Sequence, residues 1–316
     1  MQYSKLITIQ EPRTEGDDSN PRARDERSRW YCEQLEEGNI LSLLGTPFDF
    51  PLEEQEFLLS QRQTRGGYHK NIAYRPIQDR ITGLAHPGTV ENEKLHAIMK
   101  AYSERVTQFL SEMLPLYSRS WRLDFASFRP LEEQGRQLRL RARNDLLHTD
   151  AFPTRPTNGD RILRFFTNIN PTEARVWVTS ETFESLAHHY GRLAGLPLPR
   201  EQARSLGRRL GRAFARVARR IGLPVVNRSP YDEFMLRFHH YLKENREFQE
   251  TCQKQKWEFP PKSSWILFSD AVSHAVVSGR FALEQTFIVP RVALLLPQKA
   301  PINILESLCG STLTNS

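Results

Sequence analysis

The alternation of apolar and polar positions divides the chain into helical and strand-forming stretches. Between Glu91 and Pro115 the apolar residues recur every three or four positions, which predicts a long amphipathic helix, and residues 51–63 predict a shorter one. Residues 181–257 return to helical spacing, and residues 263–296 return to strands. Strict alternation or short apolar runs predict the other strands, at 121–130, 137–143, 161–169 and 175–179.

This order of elements predicts an α+β protein in which a sheet closes on itself after a long helical insertion. We expect a barrel or a two-sheet sandwich with helices packed outside. Residues 10–30 carry little apolar content and predict a loop or a loosely held arm. The expected parts are a polar arm at 1–30, a mainly helical N-terminal support at 31–120, a catalytic core at 121–296 interrupted by the helical insertion at 181–257, and a C-terminal tail at 297–316.

Composition narrows the class of partner and compartment. The chain has 44 Lys and Arg against 37 Asp and Glu, a formal charge of +7, which favours anionic partners such as phosphates, nucleic acid or a membrane surface. Its three cysteines are widely separated, with no zinc-binding spacing, and indicate a reducing compartment. The polar N-terminus is unlike a signal peptide, and no apolar run approaches the roughly 20 residues that cross a bilayer. We therefore expect a cytoplasmic protein.

The first chemical signal is the segment His148-Thr149-Asp150. In an extended segment the side chains alternate with period two, so His148 and Asp150 point to the same face. Together they are two thirds of the 2-His-1-carboxylate triad that holds non-haem Fe(II) with open coordination positions. Taken alone, the pair is weak evidence and is more typical of a strand-end histidine followed by a capping or turn-forming aspartate.

A third metal ligand is expected on a neighbouring strand, and His274 opens such a predicted strand. A closed sheet would bring His274 beside His148, although an ordinary core histidine stays open as the alternative. Arg280, six residues later, is expected to point inward from the next strand, where a guanidinium can bind a dicarboxylate. The remaining candidates lie in helical stretches, where we expect them at the surface or partly packed: His188, His189, His239 and His240.

The segment from Leu147 to Pro171, with residues 175–177 and the Gly-Arg-Phe-Ala-Leu run at 279–283, resembles the Kdo 3-hydroxylases of Gram-negative bacteria. The resemblance covers most of residues 120–290. It implies a double-stranded β-helix (jelly-roll or cupin-like) core and an Fe(II)/2-oxoglutarate-dependent dioxygenase that uses O2, with ascorbate as a supporting reductant. The implied reaction is hydroxylation at C3 of a 3-deoxy-D-manno-oct-2-ulosonic acid (Kdo) sugar on Kdo-lipid A, in lipopolysaccharide modification.

The resemblance also implies roles for individual residues. His148, Asp150 and His274 would be the metal ligands and catalytic centre, while Arg280 and Asn168 would bind 2-oxoglutarate. Arg280 lies closer to the distal histidine than the basic residue of many relatives does. The implied substrate-binding residues, each of which is also compatible with a solvated strand face or a packing role, are Arg129, Arg161, Arg164, Arg175 and Trp177. The implied location is the inner face of the cytoplasmic membrane, and a homo-oligomer is compatible with the sequence.

Residues 200–221 predict an amphipathic helix with an arginine at every fourth position. A basic helix of this kind suits an anionic membrane surface or a phosphate-bearing ligand, while the alternative is a core-packed helix with a solvated face. A nucleic-acid-binding protein could use the same helix on phosphates, but that interpretation leaves the His-Thr-Asp segment without a role, so we expect no nucleic acid. A zinc hydrolase, or the same dioxygenase chemistry on a protein or a small anionic metabolite, also stays open.

Overall fold

The computed structural model describes residues 1–10, 21–61, 71–83, 89–135, 137–197 and 227–314. The strands of these ranges are β1 (Leu6–Ile9), β2 (Ile40–Leu43), β3 (Ile72–Arg75), β4 (Arg80–Thr82), β5 (Arg122–Arg129), β6 (Arg161–Asn168), β7 (Arg175–Thr182), β8 (Gln255–Phe259), β9 (Ser264–Phe268), β10 (Val272–Ser278) and β11 (Ala282–Val289). The α-helices are α1 (Pro21–Glu36), α2 (Leu52–Ser60), α3 (Val90–Met113), α4 (Pro115–Ser118), α5 (Phe183–Tyr190), α6 (Pro230–Glu244), α7 (Arg246–Thr251) and α8 (Pro301–Cys309).

The strands form one large and one small sheet. The large sheet has the order β1-β2-β9-β6-β11-β5-β3-β4, and the small sheet has the order β10-β7-β8. All pairs are antiparallel except β1 with β2, which run parallel. The result is a mixed fold of helices with a large sheet, in agreement with the coarse prediction.

Strand β6 lies in the middle of the large sheet, and its alternating side chains build two apolar cores. Phe165 points to the helical side and meets Phe109 of α3, with ring centroids 6.0 Å apart. Phe166 points between the two sheets, where it stacks on Trp265 of β9 at 5.2 Å and meets the edge of Trp177 of β7 at 4.9 Å. This second core joins the sheets on the side that carries the predicted metal ligands.

Two helices begin where local capping predicts. The Thr89 hydroxyl accepts a hydrogen bond from the Asn92 N–H at the start of α3. Helix α6 begins with a capping box in which Ser229 and Asp232 satisfy each other's backbone N–H groups. The Asp232 carboxylate also accepts from the Thr157 N–H at 2.8 Å, which ties α6 to the loop that follows the His-Thr-Asp segment.

Several predictions are confirmed, and others are wrong. The long helix at 91–115 is α3, and four of the predicted strand regions contain β5, β6, β7 and the β9–β11 group. Residues 137–143 form no strand. They contain only a 3-10 turn, because their backbone pairs with no strand of either sheet. Their arginines contact nearby carboxylates instead, and Arg141, for example, pairs with Glu244.

The prediction of a loop at 10–30 is wrong over its described second half, which belongs to α1. That helix buries a short stripe, Tyr31, Cys32 and Leu35, which the charged residues around it concealed in the sequence. Strand β8 begins at Gln255, so the helical insertion predicted at 181–257 ends a few residues early, and the tail predicted at 297–316 contains the largely buried helix α8. The domain boundaries themselves stay a prediction.

The Arg-rich segment at 200–221 lies outside the described residues. Within the described ranges, no helix combines the length and the apolar character that a bilayer crossing requires.

Candidate metal centre

The backbone brings His148 and His274 side by side. The His148 N–H donates to the His274 carbonyl at 3.1 Å, and the His274 N–H donates to the His148 carbonyl at 2.9 Å, an antiparallel bridge at the edge of β10. The Asp150 N–H donates to the Ser269 carbonyl at 3.0 Å, which continues the extended path. The His-Thr-Asp segment therefore lies as a short extended segment along the edge of the small sheet. In this extended conformation His148 and Asp150 point to the same side, as their spacing predicts.

His148, Asp150 and His274 form the cluster predicted from the sequence. One ligand atom from each lies within 4.8 Å of the others, and all three residues are buried. The His148 Nε2 atom is 3.7 Å from the Asp150 Oδ1 atom. Two imidazoles and one carboxylate on one side of a site are the donor set of non-haem iron enzymes that keep open coordination positions.

Backbone carbonyls fix which nitrogen of each histidine is available. The His148 Nδ1 atom lies 2.7 Å from the Leu146 carbonyl, and the His274 Nδ1 atom lies 3.1 Å from the Val272 carbonyl. Since a carbonyl only accepts, each Nδ1 carries the proton and each Nε2 offers its lone pair. Trp177 stacks on the His274 ring with centroids 5.3 Å apart and 14° between the planes, which holds that ring in place.

The protonation states also suit a metal. Burial holds the pKa of His148 well below its usual value, with Lys243 adding to the effect, and burial lowers the pKa of His274. Burial alone would raise the pKa of the Asp150 carboxyl, but the Arg164 guanidinium beside it outweighs burial and holds the pKa below its usual range. Neutral imidazoles and an ionised carboxylate are the forms that bind metals.

A buried chain of ion pairs extends from Asp150 into the space between the sheets. The Arg164 Nη1 atom donates to Asp150 Oδ2 at 2.7 Å, and its Nη2 atom donates to Glu284 Oε1 at 2.6 Å. The Arg129 Nε atom donates to the other oxygen of Glu284 at 2.8 Å. Because Arg164 occupies Oδ2, the Oδ1 atom of Asp150 is left facing His148.

Arg175 lies at the start of β7 with its guanidinium buried and only partly bonded. Its Nη1 atom donates to the Gly279 carbonyl at 2.8 Å, while its buried Nε and Nη2 atoms have no hydrogen-bond partner within the described structure. Burial, helped by Arg129 nearby, lowers the pKa of Arg175 to about 10, so the group is still charged at neutral pH. Buried donors without partners are rare in native proteins, so this cation fits an anionic ligand such as a carboxylate.

Gly279 permits this arrangement. Its φ of 109° is unfavourable for other residues, and a Cβ atom added there would lie 2.9 Å from the Arg175 Cα atom.

The expected inward placement of Arg280 is wrong. Its side chain is 52% exposed and lies 3.7 Å from the Glu173 carboxylate. The backbone has positive φ at both Gly279 and Phe281, so Arg280 belongs to a tight turn between β10 and β11 and not to a strand. The sequence spacing assumed a continuous strand, and Arg175 is the buried cation that the structure offers instead.

Asn168 is also placed differently from the expectation. Its side-chain amide donates to the backbone carbonyls of Glu173, Phe259 and Pro260, and its oxygen accepts from the Asn170 N–H at 3.0 Å. These bonds use its hydrogen-bonding groups to hold the loop after β6, so Asn168 has a structural role there and does not offer them to a cosubstrate.

Two of the expected substrate contacts are buried elsewhere. Trp177 is 1% exposed and packs on His274, so it supports a ligand and offers no face to a sugar. Arg161, 0% exposed, pairs with Asp270 and lies three positions from Arg164 on β6, hence on the opposite face of the strand. Of the arginines named from the sequence, Arg164 binds Asp150, Arg129 shares Glu284 with Arg164, and Arg175 lies near Arg129.

His239 is a neighbour of the centre, and of the two expected placements, at the surface or partly packed, the structure shows the second. Its ring lies 4.8 Å from the His148 ring, and its Nδ1 atom lies 2.8 Å from the Thr149 carbonyl. It belongs to the stripe of α6 that also buries Met235, Phe238 and Leu242. That spacing of three and four residues was the sequence signal that marks His239 as inward-facing.

Comparison with known proteins agrees with this geometry. Residues 18–312 match the family model of 3-deoxy-D-manno-oct-2-ulosonic acid (Kdo) hydroxylase. The crystal structure of the Kdo hydroxylase KdoO, a non-haem Fe(II) α-ketoglutarate-dependent dioxygenase, in complex with α-ketoglutarate and Fe(III), is 33% identical, covers 98% of both chains and has a TM-score of 0.81. Its cobalt(II) complex is likewise 33% identical over 98% of both chains, with a TM-score of 0.82.

The complex of KdoO with succinate and Fe(III) is 32% identical over the same share of both chains, with a TM-score of 0.80. A comparison with curated protein sequences gives no match. The family model spans nearly the whole chain and includes all three residues of the buried cluster. The chain therefore belongs to the Kdo hydroxylase family.

Proposed function

We propose that the protein is an Fe(II)/2-oxoglutarate-dependent dioxygenase that hydroxylates C3 of a Kdo sugar on Kdo-lipid A. The observation that carries the proposal is the buried cluster of His148, Asp150 and His274, whose free Nε2 and Oδ1 atoms face one another. Family membership supports the same chemistry. The position C3 and the lipid A context come from the resemblance of the sequence.

In this proposal Fe(II) is bound by the Nε2 atoms of His148 and His274 and by Oδ1 of Asp150. When bound, the metal supplies activation of O2, coupled to oxidation of 2-oxoglutarate to succinate and CO2. The protein's own contribution is positioning. The backbone carbonyls and Trp177 hold the imidazoles, and Arg164 holds the carboxylate, so the donor set is formed before the metal arrives.

Arg175 is our candidate for binding the distal carboxylate of 2-oxoglutarate. Its two unpaired N–H groups can donate together to one carboxylate, the geometry in which guanidinium binds most strongly. It lies on the small sheet beside β10, the strand that carries His274, and four residues before the residue that pairs with His274. Arg129, which already binds Glu284, adds positive charge beside it.

The topology supports a double-stranded β-helix core. Four strands of the large sheet, β9-β6-β11-β5, face an array formed by the His148 segment and β10-β7-β8. The aromatic core around Phe166 and Trp177 lies between them. The three metal ligands then come from the His148 segment and from β10, which are neighbours at one edge of this smaller array.

We further propose that the protein acts at the inner face of the cytoplasmic membrane. The formal charge of +7 favours an anionic glycolipid and an anionic surface. The Arg-rich segment at 200–221 would supply the contact with lipid, a suggestion that rests on its sequence alone.

The test is succinate release from 2-oxoglutarate with added Fe(II) and ascorbate, in the presence and absence of Kdo-lipid A, with the lipid followed by mass spectrometry. We expect one added oxygen on the lipid for each succinate, and loss of both in His274→Ala. Succinate without a modified lipid would contradict the substrate, and no succinate under any condition would contradict the dioxygenase chemistry. A product oxygen at another carbon would contradict C3.

A further inference from the structure

A small cavity lies between the β3–β4 hairpin and the start of β5. It has a volume of about 230 Å³ and is lined by Arg75, Ile77, Asp124, Phe125 and Arg155, among others. This volume is below the roughly 300–1,000 Å³ of pockets that enclose a drug-sized ligand. The cavity therefore fits one charged group with part of a sugar ring, and not a whole glycolipid.

Two guanidinium groups share one aromatic ring in this cavity. The Cζ atoms of Arg75 and Arg155 lie 4.6 and 4.0 Å from the centre of the Phe125 ring. Arg155 forms an ion pair with Asp124, so its charge is balanced within the protein. Arg75 has no carboxylate partner among the described residues, and its buried Nε atom has no hydrogen-bond partner there. The lining thus carries one uncompensated positive charge.

The cavity is connected to the metal centre through a row of packed side chains. Phe152 follows Asp150 by two residues, and its ring centre lies 4.1 Å from the Arg155 Cζ atom. The centre of the Phe152 ring also lies 5.9 Å from the Arg164 Cζ atom, and Arg164 binds Asp150. Arg155, Phe152 and Arg164 therefore form a continuous row of contacts from the cavity to Asp150.

We propose that this cavity is the subsite that binds an oxyanion of the acidic glycolipid substrate, a sugar carboxylate or a lipid phosphate, with Arg75 as the residue that pairs with it. The inference rests on the hydroxylase activity proposed above. Arg155 and Phe125 pack beside the Arg75 guanidinium and orient it. Apolar side chains of the lining, such as Ile77, contact the ring carbons of the sugar. Specificity for an anionic substrate then comes from a residue outside the metal and cosubstrate sites.

The test compares Arg75→Gln, Arg75→Lys and the matched control Arg80→Gln in steady-state hydroxylation of Kdo-lipid A. Arg80 is the cross-strand partner of Arg75 on the same hairpin, is exposed and does not line the cavity. Loss of a charged hydrogen bond predicts a rise of about ten- to one-hundred-fold in KM for Arg75→Gln, with kcat within about twofold. Arg75→Lys should recover part of the affinity, and Arg80→Gln should match the unmodified protein.

The source of the oxyanion is identified with altered substrates. If Arg75 binds the carboxylate, esterifying it should raise the KM of the unmodified protein and abolish the difference from Arg75→Gln, whereas removing the lipid phosphates should leave that difference. The reverse pattern would identify a phosphate.

Equal KM values for Arg75→Gln and Arg80→Gln, while the unmodified protein hydroxylates Kdo-lipid A, would overturn the subsite alone. Absence of hydroxylation by the unmodified protein would overturn the proposed function and the subsite together.

Discussion

Arg175→Met separates the cosubstrate assignment from every other feature of the centre. The substitution keeps much of the apolar stem but removes the charge and the two unpaired donors. A hydrogen bond to a charged group contributes about 1.5–3 kcal/mol, so affinity for 2-oxoglutarate should fall by about ten- to one-hundred-fold. A matched control is Arg280→Met, which removes the exposed arginine that the sequence favoured.

The same substitution should cost little stability in the absence of cosubstrate. It loses one hydrogen bond from a charged donor, from Nη1 to the Gly279 carbonyl at 2.8 Å, which contributes about 1.5–3 kcal/mol. It also removes two buried donors that have no partner in the described structure, and this offsets the loss. We expect the free energy of unfolding to change by no more than about 1 kcal/mol.

Thermal unfolding with Co(II) and increasing 2-oxoglutarate measures the binding without turnover. A ligand at one hundred times its Kd stabilises the folded state by about 2.7 kcal/mol, and this shift should appear in the unmodified protein and in Arg280→Met. Arg175→Met should need at least about ten times more 2-oxoglutarate for the same shift. An unchanged titration in Arg175→Met, or a weakened one in Arg280→Met, would refute the reasoning.

Two further substitutions test the surroundings of the ligands. Arg164→Met leaves Asp150 buried without its guanidinium and should lower the free energy of unfolding, measured in urea, by about 3–5 kcal/mol. The control Arg141→Met breaks only an exposed ion pair and should lower it by less than about 1 kcal/mol. Equal losses in the two variants would show that the buried pair is not critical for stability. His239→Phe removes the donor to the Thr149 carbonyl and should weaken iron binding, measured by equilibrium dialysis, by about ten- to one-hundred-fold. His239→Asn keeps a donor near that position and should bind iron nearly as the unmodified protein does. Similar iron affinities for the two variants would show that His239 does not support the metal centre.

The metal cluster was predictable because local geometry fixes most of it. Period-two spacing puts His148 and Asp150 on one face of any extended segment, and a closed sheet needs only one later strand to bring His274 beside them. The long helix α3 was predictable for a similar reason, since its apolar stripe runs for about five turns, from Leu95 to Met113. For α3 and for the pair of His148 and Asp150 the signal lies within a local stretch of chain, whereas the position of His274 depends on the closure of the sheet.

The remaining errors concern contacts that no local pattern encodes. Residues 137–143 alternate as a strand does, but strand formation also needs an available edge, which the fold does not provide there. Arg280 was assigned to a strand because the sequence spacing does not reveal the turn at this position. The turn has positive φ at Gly279 and Phe281, and it redirects the Arg280 side chain. His239 is partly packed, as one of the two expected alternatives had it, but the sequence did not reveal that its packing partner is His148.

The most direct test of the central claim is the amount of Fe(II) bound per chain, measured by anaerobic equilibrium dialysis on the unmodified protein, His148→Ala, Asp150→Ala, His274→Ala and His188→Ala. His188 is an exposed histidine of α5 and serves as the control. We predict about one tightly bound iron in the unmodified protein and in His188→Ala, and loss of that iron in the other three. Unchanged iron binding in His274→Ala would contradict the assignment of the third ligand and with it the account of the centre.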